Sequence, residues 1–280
     1  MSHGRLSILH VSPMPASPPR FGAQVRMHGL MTELARRHDL TAVMLVDNEF
    51  DAEECRKTMQ AYCRDVVLVP KPYVGEGLGK RLFQLQALAS TRSWERWLAS
   101  VPAMQRALDR VLRAERFDLV NLEFSFLGEC NLRQAPRNER LPRLVVASHN
   151  IDYELARQYA RDGRSLAHRL YAGVNWRKLR REELGTYRDA DGVYLCSAEE
   201  GKAIVSTALG SEGIEAIPGR DLLIEDQPEA FGDALNRLLD DPELAARIGQ
   251  SARSLAVERY SWSGAARALE GFYRDILDAA

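Results

Sequence analysis

Short apolar runs of β type alternate with stretches of helical periodicity from the start of the chain. Leu6-Ser7-Ile8-Leu9-His10-Val11-Ser12 predicts a strand that stops at a proline-rich turn, Pro13 to Pro19. Met27, Leu30, Met31 and Leu34 then share one helix face, closed by Arg36, Arg37 and His38, whose charges suit a helix C-terminus. Leu40 to Val46 reads as a strand, Glu53 to Tyr62 as a helix and Asp65 to Val69 as the next strand. Phe117 to Leu122, Arg143 to Ala147 and Gly192 to Cys196 repeat the strand pattern. Near-continuous Val, Leu and Ile runs separated by helices describe strands buried on both faces of a parallel sheet. The fold class is α/β with a doubly wound parallel sheet, in which ligands bind beyond the carboxyl ends of the strands.

Two strand ends carry candidate chemistry under that rule. After the first strand, Pro18-Pro19-Arg20-Phe21-Gly22-Ala23-Gln24 runs straight into the Met27 helix. A glycine there lets backbone approach a ligand, and a helix N-terminus offers free N–H groups to a phosphate. A plain strand-to-helix turn explains the same residues. After the fifth strand comes Ser148-His149-Asn150-Ile151-Asp152. His149 sits where a ring nitrogen could meet a sugar hydroxyl or phosphate oxygen; equally, it could cap the next helix with Asn150 and Asp152. Glu199 and Glu200 follow the last strand and favour a helix start.

Composition narrows the classes. In 280 residues, 38 basic and 39 acidic side chains leave a formal charge of -1, which gives no footprint for nucleic acid. The apolar share of 45% is enough for a globular core. Cys55, Cys63, Cys130 and Cys196 lack CxxC spacing, which predicts reduced thiols with neither a zinc site nor a disulfide scaffold. Pro13 and Pro15 end the apolar run Leu6 to Val11, too short for a signal peptide or membrane span, so the cytoplasm is the expected compartment.

Taken in order, several segments resemble the family-4 glycosyltransferases, retaining enzymes of the two-domain GT-B fold. They are the first strand and glycine turn (Ile8 to Gln24), the FDLV strand (Phe117 to Glu123) and the SHN turn (Ser148 to Tyr153). The arginine-rich helix Arg169 to Arg181 and the strand Ala190-Asp191-Gly192-Val193 complete the set. The resemblance implies a Rossmann-like acceptor-side domain over 1–200, joined by a closing helix over 261–280 that packs back on it. It also implies transfer of a glycosyl unit from a nucleotide-diphosphate sugar to an acceptor hydroxyl, without a cofactor or essential metal. By the same resemblance His149 is the catalytic residue at the donor sugar, and Gly22, Ala23, Gln24, Asn150, Asp152 and Ser197 bind donor or acceptor. Phe21 stands where the family often has a second glycine.

Residues 201–260 resemble only part of a second, nucleotide-sugar-binding domain. Gly201 to Gly213 is similar to the segment just after the family's donor site, and Gly219-Arg220-Asp221-Leu222-Leu223-Ile224 to its next strand. Helices follow at Asp226-Pro228-Glu229, with Phe231, Leu235, Leu238 and Leu239 on one face, and at Asp241-Pro242-Glu243, with Leu244, Ile248 and Leu255. Ser261 can cap a last helix bearing Ala265, Leu269, Phe272 and Ile276, whose presence implies that the chain ends naturally. Between Glu200 and Gly201 the family would place its linker and half a nucleotide-binding fold, with the cations for the leaving diphosphate. The family's chemistry is therefore expected to be weak or lost.

The alternative is a non-catalytic module that binds a glycan or a partner, and exposed faces of the short domain could drive self-association. The partners so implied are a nucleotide sugar and a glycan or lipid-linked acceptor, in polysaccharide or glycoconjugate synthesis. The basic run Trp176-Arg177-Lys178-Leu179-Arg180-Arg181 reads first as a solvated face balanced by Glu182 and Glu183. Its second reading is a peripheral contact with an anionic membrane, at the inner face. The aromatics between Phe83 and Trp97 fit either core packing or an acceptor border.

Overall fold

The computed structural model describes residues 4–71, 78–99, 101–137, 139–162, 165–195, 205–211, 213–259 and 261–279. The chain divides into two compact units, Met1–Cys196 with Phe272–Ala280, and Ser197–Gly271. The first unit runs β1 (Ser7–Ser12), α1 (Gly22–Ala35), β2 (Asp39–Val46), α2 (Ala52–Gln60) and β3 (Asp65–Pro70). It continues through α3 (Leu78–Ala89), α4 (Trp94–Ala99), α5 (Pro102–Ala114), β4 (Leu119–Glu123) and β5 (Arg143–Ser148). It then passes α6 (Asp152–Asp162), α7 (Leu166–Asp189) and β6 (Gly192–Leu195).

Its six strands form one all-parallel sheet in the order β3-β2-β1-β4-β5-β6. This is the doubly wound arrangement read from the apolar runs. The chain reverses direction across the sheet between β1 and β4, so the ligand crevice of such folds opens at their carboxyl ends. The runs are apolar throughout because both faces are covered: every residue from Leu40 to Val46 in β2, and all of β4, is buried. On one face α5, begun by Pro102, lays Met104, Leu108, Val111 and Leu112 against Leu9, Val11, Val120 and Leu122. The α2 helix is capped by Asp51, which accepts from the Glu53 and Glu54 N–H groups at 2.9 and 3.2 Å. Phe83, Trp94 and Trp97 pack on one another, with ring centroids 5.4 and 6.1 Å apart.

The second unit carries two strands, β7 (Val205–Ser206) and β8 (Leu223–Ile224), paired in parallel, then α8 (Pro228–Asp240) and α9 (Pro242–Arg259). The last helix, α10 (Trp262–Asp278), ends in the first unit. There a Cβ on Gly192 would lie 2.4 Å from Ile276 and 2.6 Å from Phe272, so only glycine lets β6 meet this helix end.

Two expectations for the second unit need correction. Gly219 to Asp221 is not strand but a turn, with Gly219 at φ +77°, closed by a bridge between Pro218 and Leu222. Asp221 holds it closed, its carboxylate accepting from the Ile217 N–H and the Ser251 hydroxyl. On α8, Leu235 and Leu239 point to solvent, Leu239 at 78% exposure, while Ala234 is the buried position. Two-residue strands are too short to cover the leucine face. Ala203, Ile204 and the Glu200–Gly201 join lie outside the described residues.

Candidate functional site

A chain of buried polar groups occupies the carboxyl end of the sheet at the β1–β4 switch point. Asn121 and Glu123 alternate along β4, so their side chains leave the same face of the sheet. Asn121 is the hub. Its Nδ2 donates to Glu123 Oε1 at 2.8 Å and lies 3.3 Å from His10 Nδ1. Its Oδ1 accepts from the Tyr194 hydroxyl at 3.1 Å and from the Tyr273 hydroxyl at 2.8 Å. Both amide hydrogens and both lone pairs of the oxygen are thus engaged.

Glu123 receives His149 on its other oxygen, Nε2 to Oε2 at 2.8 Å, with both side chains nearly enclosed. Burial pushes the Glu123 carboxyl up. The hydrogen bond from His149 and the charges of His149, Arg26 and His10 more than offset this, so it titrates below the ordinary carboxylate value. His10 is brought down to about 4 by burial, against the pull of Glu123, and so is neutral near pH 7. At that pH the support for an ionised Glu123 therefore comes from the His149 hydrogen bond and the Arg26 charge.

The His149 ring is fixed on a second side by Phe124, stacked at 4.1 Å between centroids and 7° between planes. Phe124 itself sits at φ 64°, ψ 145°, a conformation that costs a non-glycine residue about 1–3 kcal/mol. That strain is held where β4 ends, directly under the imidazole. Among the described residues only Nε2 of this ring has a hydrogen-bond partner.

Arg26, one turn into α1, adds a cation whose charge acts on Glu123 without a hydrogen bond to it. Its guanidinium carbon lies 5.4 Å above the Tyr194 ring, and both terminal nitrogens are buried with no acceptor among the described residues. A buried guanidinium without an acceptor is costly, so the arrangement favours an anion beside it. The start of α1 is open in the same sense. Phe21 makes no side-chain cap, the first turn has no acid, and a Cβ on Gly22 would meet nothing within 4 Å.

The other expected site residues are placed as follows. Ala23 is half-buried in the first turn of α1. The Gln24 side chain is enclosed and braces the proline turn, accepting from the Arg20 N–H at 2.9 Å and donating to the Pro15 carbonyl at 2.8 Å. Asn150 is exposed, its carbonyl accepting from the Ser148 hydroxyl. Ser197 lies outside the described residues. His149 does not cap α6. The Asp152 and Tyr153 N–H groups donate instead to Glu183 of α7, at 3.2 and 2.9 Å.

Asp152 shares this corner with Glu183 and Glu95. Burial, then repulsion from both carboxylates, pushes its carboxyl up to about 7 from 3.8. The folded value lies above the unfolded one, so its contribution is full below about pH 4 and is lost as pH rises through about 7. With allowance for solvent screening we expect about 1–2 kcal/mol from this group. Asp152→Asn should flatten the fall in stability across that window in urea melts; an unchanged slope would contradict the assignment.

Sequence reading singled out His149 but missed Glu123, Asn121 and Arg26 as members of the site. The available signal was Asn121 and Glu123 at alternating positions near the carboxyl end of an otherwise apolar strand. Arg26 carried none, because an arginine beside a buried helix face is ordinary.

No family model matches the chain. Over 67 residues it is 43% identical to the alpha-D-kanosaminyltransferase of Streptomyces kanamyceticus, a stretch covering 24% of this chain and 16% of that enzyme. The chain thus spans about a sixth of the length of the curated relative it matches. Among solved structures it is similar to sucrose-phosphate synthase from Thermosynechococcus elongatus, with a TM-score of 0.58 at 12% identity over 99% of this chain and 100% of the other. Anabaena HepE, solved with UDP, aligns over 96% of this chain and 100% of its own at 13% identity, but a TM-score of 0.38 is too loose to bear on the site. The chain has the α/β fold of GT-B-like glycosyltransferases.

Proposed function

We propose that this chain is a family-4-type glycosyltransferase that takes a nucleotide-diphosphate sugar as donor and a glycan or lipid-linked hydroxyl as acceptor. The observation that carries the reading is the buried Glu123 hydrogen-bonded to His149 at the switch point, near Arg26, whose terminal nitrogens have no acceptor among the described residues. Similarity to a kanosaminyltransferase supports the transferase class. In the transfer, the bond from the anomeric carbon to the diphosphate breaks and its electron pair leaves with the diphosphate. The acceptor oxygen bonds that carbon and gives up its proton to the departing diphosphate. His149 would be the catalytic residue, meeting the donor sugar, and Glu123 the positioning residue that fixes its ring. Gly22 and the N-terminus of α1, with Arg26, would face the phosphates, for which helix N–H groups and a guanidinium are matched donors.

A second reading is favoured by one feature: the described part of the second unit offers two strands of two residues each, which is no nucleotide-binding sheet. If the donor half is abbreviated, the cations for the leaving group are missing, and each such donor is worth about 3 kcal/mol of barrier. The crevice would then bind a ligand without turning it over. Incubation with labelled nucleotide sugars and candidate acceptors separates the two. Transfer that falls about a hundredfold or more in His149→Ala supports catalysis. Ligand binding without transfer selects the binding module, and neither activity overturns both.

A further inference from the structure

We propose that the α6–α7 hairpin is a docking surface for an anionic phospholipid membrane. The proposal does not depend on the transferase reading. Ile151, just before α6, and Leu155 and Tyr159 on it follow one another at intervals of four, all exposed, Tyr159 at 62%. Leu170, at 64%, and Val174 continue the exposed apolar surface onto α7. Residues four apart share a helix face, so each helix presents a stripe of large apolar side chains to solvent.

Beside these stripes lies a hollow of about 400 Å³ lined by Arg157, Arg161, Arg169, Arg177 and Trp176, with no acidic residue in its wall. Arg177 and Arg157 stack over the Trp176 ring at 5.3 and 5.9 Å, and the buried Trp176 Nε1 has no acceptor among the described residues. Arg157 pairs with Glu154 on the surface, but among the described residues neither Arg161 nor Arg169 has an acidic partner. Neither of the acids expected to balance the basic run lines this hollow. Glu182 is buried, accepting from the Ser93 N–H, and Glu183 caps α6. The rest of the run is engaged elsewhere: Lys178 donates to the carbonyls of Ala87, Leu88 and Ser90 at the end of α3.

The result is a cation-lined hollow, with the Trp176 ring in its wall, edged by exposed leucine, isoleucine, valine and tyrosine. Phosphate headgroups satisfy the guanidinium donors, and the acyl boundary takes the apolar edge; a soluble anion would use only the first. Among the described residues no helix is long and apolar enough to cross a membrane, so the contact would lie in the interface plane.

The test is flotation of the purified chain with phosphatidylcholine vesicles that contain or lack phosphatidylglycerol. We expect binding only with phosphatidylglycerol, weakened by added salt. Arg161→Gln with Arg169→Gln should lower the partition coefficient about tenfold or more, and Tyr159→Gln with Leu170→Gln should lower it without changing its salt dependence. All four positions are exposed, and unchanged melting curves would show the variants folded. Equal binding to both vesicle types, no binding, wild-type binding by the variants, or capture of glycerol phosphate without vesicle binding would each overturn the proposal.

Discussion

Asn121→Leu is expected to lower the melting temperature of the first unit by roughly 10 °C, the largest stability effect of any single side chain at the site. Leucine matches asparagine closely in shape, so packing changes little; the loss is polar. Glu123 loses a donor, and the Tyr194 and Tyr273 hydroxyls lose their shared acceptor, with Glu123 and Tyr273 buried and Tyr194 half-buried. An orphaned buried polar group costs about 1–3 kcal/mol, so together these should remove about 4 kcal/mol. Tyr273→Phe deletes one partner and leaves Asn121 bonded to Tyr194, so it should cost only about 1 kcal/mol. Thermal melts of both variants check the ordering. A melting temperature for Asn121→Leu within a degree or two of the parent would mean that the network contributes nothing to holding the strand ends and the last helix together.

Arg26→Met should behave in the opposite way. It removes a buried cation whose terminal nitrogens have no acceptor among the described residues, while the methionine stem keeps the contact with Tyr194. The ligand-free protein should therefore melt no lower than the parent, because the desolvation cost disappears along with the attraction to Glu123. Affinity for a nucleoside diphosphate should fall about tenfold to a hundredfold, the worth of hydrogen bonds to a charged group. Stability kept and affinity lost is the signature of a group retained for a ligand. Equal affinity in Arg26→Met and the parent would take Arg26 out of the site.

The doubly wound sheet was legible because its strands are buried on both faces. Runs such as Leu40 to Val46 have no polar period to confuse them with a half-exposed strand. Strand boundaries moved by only a residue or two, as at β4, where the predicted Phe117 start gives way to Leu119. The second unit was harder to read. Gly219 to Ile224 looks like a strand in composition, yet Asp221 turns most of it by accepting from its own backbone and from Ser251. Leu235 and Leu239 fit a helical stripe that the short second sheet leaves uncovered.

The site was legible by half. His149 could be found from its place after a buried strand. Its partner could not, since Glu123 is 26 positions away and meets it only because β4 and β5 pair with Glu123 opposite Ala147. The choice between a helix cap and a crevice residue also needed coordinates. Glu183, which takes the cap, comes from α7 and is invisible to local reading.

The most direct test of the central claim is calorimetric titration of the purified chain with nucleoside diphosphates and their sugar conjugates, repeated with His149→Ala and Glu123→Gln. The account predicts micromolar to low-millimolar binding of at least one sugar conjugate. It also predicts that both substitutions weaken this conjugate more than they weaken the bare diphosphate. Absence of binding across the panel, or binding untouched by either substitution, would contradict a donor site built on the His149–Glu123 pair.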